Sequence, residues 1–300
     1  MAAEVTAWHL AAVNTESHPI VSSARIEKSI EQQFARIDRE MKRAARSGKG
    51  RDKAVHQLRK GLQRLRSMLR LLREVEPIRL PQLEKGVRGL RRRFSALRDA
   101  AVRLQLAGEL ARSAEPAVAD QLAPVSDELA ARLDALWQRH DEVFWTRSAA
   151  GLRRLKAQVT KISLQHVRRG DLEAALERER RRARKAILRA LGLDLRRLRH
   201  HMRCRVRRYA AMRRLCKEWL GRRDALSEVL VELGRRLGQE GDLWLSGEAV
   251  HSISEPAAIV ELRRQLRARR RQLVREHDGE LCAWLRRSFA AREHNRPMST

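Results

Sequence analysis

The sequence is poor in aromatic residues and in the patterns that build β-sheets. Its 300 residues include one tyrosine, four phenylalanines and six tryptophans. Runs that alternate apolar and polar residues are missing, whereas apolar residues recur at helical spacing along nearly the whole chain. So few aromatic and β-branched stretches leave little from which to build a β-rich core. The sequence therefore predicts an all-α protein.

Cysteines and long apolar runs are scarce as well. Cys204, Cys216 and Cys282 show no paired spacing, which argues against a disulfide framework and against a zinc site. No uninterrupted run of about 18 apolar residues is found, as a membrane span would require. The N-terminus lacks the basic and apolar segments of a secretory signal. We therefore expect a cytoplasmic protein with no bound metal and no membrane partner.

The motifs of several enzyme classes are also missing. The sequence contains no HExxH or CxxC metal-binding motif, no GxxxxGK[ST] phosphate loop and no GxSxG nucleophile motif. Glu177 and Glu179 lie among arginines in "LERERRRARK", where salt bridges are the simpler explanation. The prediction is a binding protein, not an enzyme, that requires no cofactor.

What the chain has in excess is positive charge. It carries 66 Lys and Arg residues against 37 Asp and Glu residues, a formal net charge of +29. Such a surplus repels itself in a compact protein, so it indicates a polyanionic partner. A high-GC genome would raise the arginine content without a functional cause, but it would not account for the net charge. Arginine dominates over lysine and suits phosphate, because its planar guanidinium can bind two phosphate oxygens at once. Nucleic acid, an anionic membrane and inorganic polyphosphate all remain open on charge alone.

Glycine- and proline-containing breakers divide the chain into eight predicted helical segments. The fourth segment is long enough to break near Gly151. Short loops between long helices favour antiparallel bundles. The segments cover residues 24–46, 51–75, 81–112, 119–168, 171–190, 194–219, 222–240 and 256–291, leaving an N-terminal extension (1–23) and a C-terminal tail (292–300).

The second segment contains "AVHQLRKGLQRLRSMLRLLR", residues 54–73, in which apolar and basic residues occupy different helix faces. At 100° per residue, one stripe is a leucine seam. A solvated basic face would look the same in this segment alone. The leucine seam comprises Leu58, Leu62, Leu65, Leu69 and Leu72, and the neighbouring basic stripe comprises His56, Arg59, Gln63, Arg66, Arg70 and Arg73.

The pattern occurs twice. His200, Arg203, Arg207 and Arg214 repeat the spacing of His56, Arg59, Gln63 and Arg70, and Met202, Val206, Tyr209 and Cys216 repeat the apolar seam. An Arg-Asp pair follows each copy, Arg98-Asp99 in the first and Arg223-Asp224 in the second. An internal duplication of this kind predicts two similar halves, 24–168 and 171–291. We expect a pseudo-two-fold axis to relate them, with both basic stripes facing a shared surface.

These motifs resemble the CHAD family, the conserved histidine α-helical domain. "VHQLRKGLQRLR" with "ALRDAAV" in the first half, and "HHMRCRVRR" with "LGRRDAL" in the second, carry the resemblance over about residues 24–291. It implies two antiparallel four-helix bundles with internal pseudo-two-fold symmetry around a basic groove or pore. It also implies binding of inorganic polyphosphate, often with targeting to polyphosphate granules.

The sequence departs from the family pattern in three places. Gln63 stands where a basic residue is usual, and Ala210 and Ala211 replace the usual Arg-Tyr of the second half. Many members also carry a triphosphate-tunnel domain marked by ExExK. Here "EVEPIR" has Ile78 in the lysine position, so we expect that catalytic domain to be absent.

The spacing of the basic stripes suits a phosphate chain, because positions three or four apart on a helix rise about 5 Å, so that successive arginines can meet successive phosphates. The two histidines either donate to phosphate or hold a neighbouring arginine. Asp99 and Asp224 are expected to orient their arginines, because a carboxylate repels a polyanion. Predicted phosphate contacts are Arg59, Arg66, Arg70, Arg98, Arg203, Arg207, Arg214 and Arg223, with His56, His200, Lys60 and Arg91.

Three alternatives remain at this point. A non-specific nucleic-acid-binding protein would carry the same charge, although its signature is usually one recognition helix or stacking aromatic residues. A scaffold that coats polyphosphate granules is compatible with polyphosphate binding. Binding to a membrane surface is the least favoured, because the basic helices already use their apolar faces as core seams.

Overall fold

A computed structural model describes residues 21–293, apart from 47, 115, 222–224 and 252–256. Within these ranges the chain forms ten helices and no β-strand, which confirms the all-α prediction. The helices are α1 (Ser23–Ala45), α2 (Arg51–Leu71), α3 (Arg79–Arg93), α4 (Ser95–Ser113), α5 (Pro116–Arg139), α6 (Glu142–Val159), α7 (Arg169–Ala190), α8 (Arg196–Leu220), α9 (Ala225–His251) and α10 (Ala257–Glu293).

Local chemistry sets several helix ends. The Ser22 hydroxyl accepts a hydrogen bond from the Arg25 backbone N–H and caps α1. Gly50, just before α2, and Gly221, just after α8, adopt positive φ angles of 93° and 66°. These are left-handed conformations that favour glycine, so α2 begins where the sequence predicts and α8 ends within one residue of its predicted end.

Two predicted segments are each divided in two. The segment 81–112 breaks at Phe94, whose fully buried ring lies 5.6 Å from the rings of Phe144 and Trp145. The segment 119–168 breaks at Asp141, and not near Gly151, because the Asp141 carboxylate accepts the Phe144 backbone N–H at 2.8 Å and caps α6. The first half of the chain therefore contains six helices.

The first and larger core lies among α1, α2, α3 and α6, where α2 contacts α1 and α3 and both of these contact α6. The predicted leucine seam of α2 lines this core, and each of its five leucines is at most 1% exposed. Complete burial of a leucine side chain contributes about 1.5–3 kcal/mol. The seam therefore fixes which face of α2 is left for the basic residues.

The second core lies among α7, α8, α9 and α10. Met202, Val206 and Tyr209 on α8 are buried in it, as the repeated seam predicts. Farther along α8, Cys216 and Trp219 are buried in the first core. One helix therefore belongs to both cores, and α8 also contacts α2 directly. The pseudo-two-fold relation between the halves stays a prediction.

A buried ionic network joins α8, α9 and α10. The Arg199 guanidinium donates to both carboxylate oxygens of Glu240, at 2.9 and 2.5 Å, and also to Asp278. His277 Nδ1 lies 2.6 Å from Glu240 Oε1. Arg199, Glu240 and His277 are each no more than 3% exposed. Removing one partner would leave uncompensated buried charge, so the network holds these helices in one arrangement.

Replacing Arg199 with alanine is expected to lower the free energy of unfolding by about 3–5 kcal/mol, because Glu240 and Asp278 would lose their shared cation. Urea unfolding followed by circular dichroism measures the loss. Arg197→Ala removes the same charge from an exposed position of α8 and should change stability by less than about 0.5 kcal/mol. Equal losses in both variants would contradict a structural role for the network.

Candidate functional site

Seven of the predicted site residues lie close together around the contact between α2 and α8. We call this set the central basic cluster. Its members come from four helices, and their charges are close enough to perturb one another. They are His56, Arg59 and Lys60 on α2, Arg91 on α3, Arg98 on α4, and Arg203 and Arg207 on α8.

His56 lies among the cations of this cluster. Its pKa is lowered from 6.5 to about 4, first by burial and then by the positive charges of Arg98, Lys60, Arg207 and Arg59. The imidazole is therefore neutral at pH 7. Neither of its nitrogens has a protein hydrogen-bond partner among the described residues, which leaves it able to bind a ligand. This fits the phosphate-donor role better than the arginine-holding role.

The positive charge of the arginines in the cluster is destabilised by their surroundings. Burial lowers the pKa of Arg59, Arg91, Arg98 and Arg207, and neighbouring arginines lower the pKa of Arg59, Arg91 and Arg207 further. Both effects penalise the positive charge, which an incoming anion would relieve. The arrangement is therefore a concentration of cationic charge that the protein itself only partly neutralises.

Backbone carbonyls hold two of these arginines in place. Arg59 Nη1 donates to the Phe94 carbonyl oxygen at 3.0 Å, at the break between α3 and α4. Arg203 Nη1 donates to the Gly238 carbonyl oxygen of α9 at 3.3 Å. Neutral carbonyls orient a guanidinium without cancelling its charge. The fixed positions reduce the entropy lost when a ligand binds.

Glycines on α9 make room for the arginines of α8. A Cβ added to Gly241 would lie 2.6 Å from the Arg203 Cζ atom, and one added to Gly234 would lie 3.0 Å from the Arg207 Cγ atom. Distances below 3 Å would force the guanidinium to move. The absence of a side chain at Gly241 therefore sets the position of Arg203, a role that the sequence pattern of α8 could not indicate.

His200 occupies the position that corresponds to His56 but makes different contacts. Its Nδ1 atom lies 3.3 Å from Arg203 Nη2, and its Nε2 atom lies 3.5 Å from the Cys204 sulfur. It is exposed at the start of α8. Of the two predicted roles, holding the adjacent arginine fits these contacts better. The two histidines are alike in sequence and unlike in surroundings.

Two acidic residues face the cluster, and only one of them, Asp99, was given a role from sequence. Asp242 on α9 lies near Arg203, Arg98 and Arg207, and the pKa of its carboxyl is raised, chiefly by burial. Asp99 acts on Arg59, Arg91 and Arg98 as a compensating charge, and its orienting role stays a prediction. Because α9 carries charges of both signs, the sequence did not indicate that Asp242 would face the cluster.

Arg66 and Arg70 lie farther along α2 and are paired with a carboxylate. Arg66 Nη2 donates to Glu84 Oε1 of α3 at 2.7 Å, and Arg70 donates to the same oxygen. Arg66 is only 7% exposed. The predicted basic stripe is therefore continuous in sequence, but its partners differ along the helix. Arg59 donates to a backbone carbonyl, whereas Arg66 and Arg70 pair with Glu84 of α3.

Of the remaining two predicted arginines, only Arg214 is among the described residues, and it lies outside the central basic cluster. Arg214 lines a separate depression with Arg36, Arg64 and Glu218, and Arg64 donates to Glu218 at 2.5 Å. Arg223 lies outside the described residues. The second basic stripe thus reaches the central surface through Arg203 and Arg207, while its far end faces α1.

Two other kinds of feature, a metal site and a membrane-spanning helix, were looked for in the described part of the chain. It contains no group of three or more histidine, cysteine or carboxylate side chains placed to hold a metal ion. None of the helices searched in the described ranges is long and apolar enough to cross a membrane. What the arrangement can do is bind an elongated or multiply charged anion.

The titration of His56 tests the electrostatics of the cluster. We expect its NMR midpoint near pH 4 in the free protein, and a rise on adding a polyanion, because negative charge favours the imidazolium. Binding should therefore be accompanied by proton uptake at His56, and the polyanion should bind more tightly as the pH falls from 7 towards 4.

Arg98→Met should raise the midpoint of His56 because it removes the foremost positive neighbour. Arg103→Met removes the same charge from an exposed position of α4 and should leave the midpoint unchanged. A midpoint of about 6.5 in the unmodified protein would show that His56 is not surrounded as described.

Comparisons with known proteins support the resemblance seen in the motifs. The family model for the CHAD domain matches residues 28–208, more than half of the chain. The crystal structure of the CHAD domain from the plant Ricinus communis is similar in fold, with a TM-score of 0.57 and 20% sequence identity, covering 88% of this chain and 86% of that chain. No curated protein matches the chain. The matched range contains every member of the central basic cluster, and the chain belongs to the CHAD domain family.

Proposed function

We propose that the protein binds inorganic polyphosphate at the central basic cluster. The observation that carries this proposal is the convergence of six arginine and lysine side chains and one neutral histidine from four helices. The carboxylates that face them, chiefly Asp99 and Asp242, balance only part of this charge. A surface of this kind favours a ligand with closely spaced negative charges.

A polyphosphate chain meets the requirements of the surface. Arg203 and Arg207 lie about one turn apart on α8, so about 6 Å separates their positions along the helix, and Arg59 approaches from α2. Guanidinium groups can bind two oxygens of one phosphate. Release of counterions from the chain would provide much of the affinity and make binding strongly dependent on salt.

Nucleic acid is the alternative, and the placement of aromatic rings disfavours it. Proteins that bind single strands commonly stack bases on exposed aromatic side chains. Trp137, Trp145, Trp219 and Trp284 are buried in the cores, and the central basic cluster contains no phenylalanine, tyrosine or tryptophan. Polyphosphate needs no stacking surface, so the same charges serve it without aromatic residues.

The proposal is for a binding module and not for an enzyme. The cluster supplies cationic hydrogen-bond donors, but no nucleophile paired with a base is part of it. Binding of this kind would retain the protein at polyphosphate granules wherever these form. The granule would then be the site of action, and the protein's charge would determine its location.

Titration with long-chain polyphosphate and with duplex DNA of matched charge, at about 150 mM salt, tests the choice of ligand. We expect polyphosphate to bind at least about tenfold more tightly, because non-specific DNA binding usually has dissociation constants of only 10⁻⁴ to about 10⁻⁶ M under these conditions. Comparable affinities would overturn the preference for polyphosphate.

The variant Arg98→Gln/Arg207→Gln tests the location of the site. Neither side chain makes a hydrogen bond to another described residue, so helicity should be retained. Affinity for polyphosphate should fall, and the slope of log K against log salt should decrease by about 2, one for each cation removed. Arg153→Gln/Arg154→Gln removes the same charge from exposed positions of α6. Equal effects of the two pairs would show that only net charge matters.

Gly241→Ala tests the site without removing a charge. The added methyl group should displace the Arg203 guanidinium and weaken polyphosphate binding several-fold. Stability should stay the same or rise by up to about 1 kcal/mol, because alanine favours a helix more than glycine does. Gly247→Ala on the same helix meets no atom within 4 Å and serves as the control. Unchanged binding in Gly241→Ala would show that Arg203 makes no contact with the ligand.

A further inference from the structure

A second concave surface, the α2–α7 pocket, lies on another side of the contact between α2 and α8. It encloses about 340 Å³. None of its lining residues belongs to the central basic cluster. Its charged lining comes from α2 and the turn after it, α3, α7 and α8, and includes Arg70, Arg73, Arg178, Arg182 and Arg208.

The carboxylates of the α2–α7 pocket are already shared among several arginines. Glu84 accepts from both Arg66 and Arg70. The buried Glu179 lies 3.3–3.4 Å from Arg182, Arg205 and Arg208. Glu74 pairs with Arg178 at 2.6 Å. Six arginines thus pair with three glutamates, and the lining of the pocket, with five arginines and three glutamates, holds a net positive charge.

Several guanidinium atoms in this region have no partner. Arg70 Nη1 and Arg208 Nε are buried and make no hydrogen bond. The pKa of Arg208 is lowered to about 10, first by burial and then by the positive charge of Arg70, with Glu179 acting in the opposite direction. Buried donors without acceptors are costly, and an oxyanion in the pocket would satisfy them.

The size and lining of the pocket limit the ligand to a compact anion. Apart from the charged residues, Ala175 and Met212 line it, and no aromatic ring is present to stack a base. Five arginines around a small volume suit the clustered charge of a terminal phosphoryl group, which carries more negative charge than a phosphate inside a chain.

We propose that the α2–α7 pocket binds the terminal phosphoryl group of a short linear phosphate oligomer or of a longer chain, separately from the central basic cluster. The proposal does not depend on long chains binding at the central cluster. Among the arginines that line the pocket, Arg73 and Arg182 are exposed, whereas Arg70 and Arg208 are half-buried.

Calorimetric titration with linear triphosphate tests the proposal, with cyclic trimetaphosphate as the comparison because it has three phosphates and no terminal group. We expect one linear triphosphate to bind per chain, at least tenfold more tightly than the cyclic compound. Arg73→Gln/Arg182→Gln should weaken binding of the linear compound at least tenfold. Equal binding of the two compounds, or no binding of either, would overturn the proposal.

Two further variants separate this site from its surroundings. Arg181→Gln/Arg189→Gln removes two exposed charges of α7 outside the pocket and should leave triphosphate binding unchanged. Arg98→Gln/Arg207→Gln should also leave it unchanged while weakening long chains. If triphosphate binding is lost in Arg98→Gln/Arg207→Gln and kept in Arg73→Gln/Arg182→Gln, the anion binds at the central cluster and the pocket proposal is wrong.

The source of the terminal group is settled by a competition. Long-chain polyphosphate added to Arg98→Gln/Arg207→Gln should displace triphosphate if chain ends enter the pocket. If it does not, the pocket accepts only free short oligomers. An unfolding curve is measured for every variant as a control. A variant that unfolds cooperatively is folded, so a loss of binding in it reports on the ligand contacts. If the pocket proposal is wrong, binding of long chains at the central basic cluster is unaffected. If long chains do not bind at the cluster, the pocket proposal is likewise unaffected.

Discussion

Repulsion among arginines on closely packed helices is the constraint on which the rest of the structure depends. The helices α2 and α8 each bury one face completely and carry several guanidinium groups beside it. Burial makes each positive charge more costly, and neighbouring cations increase the cost. The fold meets this constraint in two ways, and the difference between them separates supporting arginines from those available to a ligand.

The first way is to place a carboxylate among the arginines. Glu84, Glu179 and Glu240 each pair with two or more basic side chains. In each case at least one of the paired arginines lies on a different helix from the glutamate. The second way is to orient a guanidinium with a backbone carbonyl, as at Phe94 and Gly238. Carbonyls leave the charge intact, so these arginines remain able to bind an anion.

Much of this arrangement could be predicted from helical spacing. The leucine seam of α2 and the basic stripe beside it follow from positions within one helix, so they required no knowledge of the fold. Pairing between helices could not be predicted in this way. Glu84 neutralises Arg66 and Arg70 from α3, and nothing in the spacing of α2 distinguishes these two arginines from Arg59. Gly241 is informative only because of what packs against it.

The sharing of α8 between the two cores has a consequence for how the chain can be divided. A duplicated sequence suggests two units separable near residue 170, but the end of α8 supplies Met212, Leu215 and Trp219 to the core of the first half. A fragment that stopped at that boundary would expose an apolar groove where these side chains belong. The two halves are therefore obliged to fold together, and Arg203 and Arg207 of the central basic cluster are carried by the same helix that closes both cores.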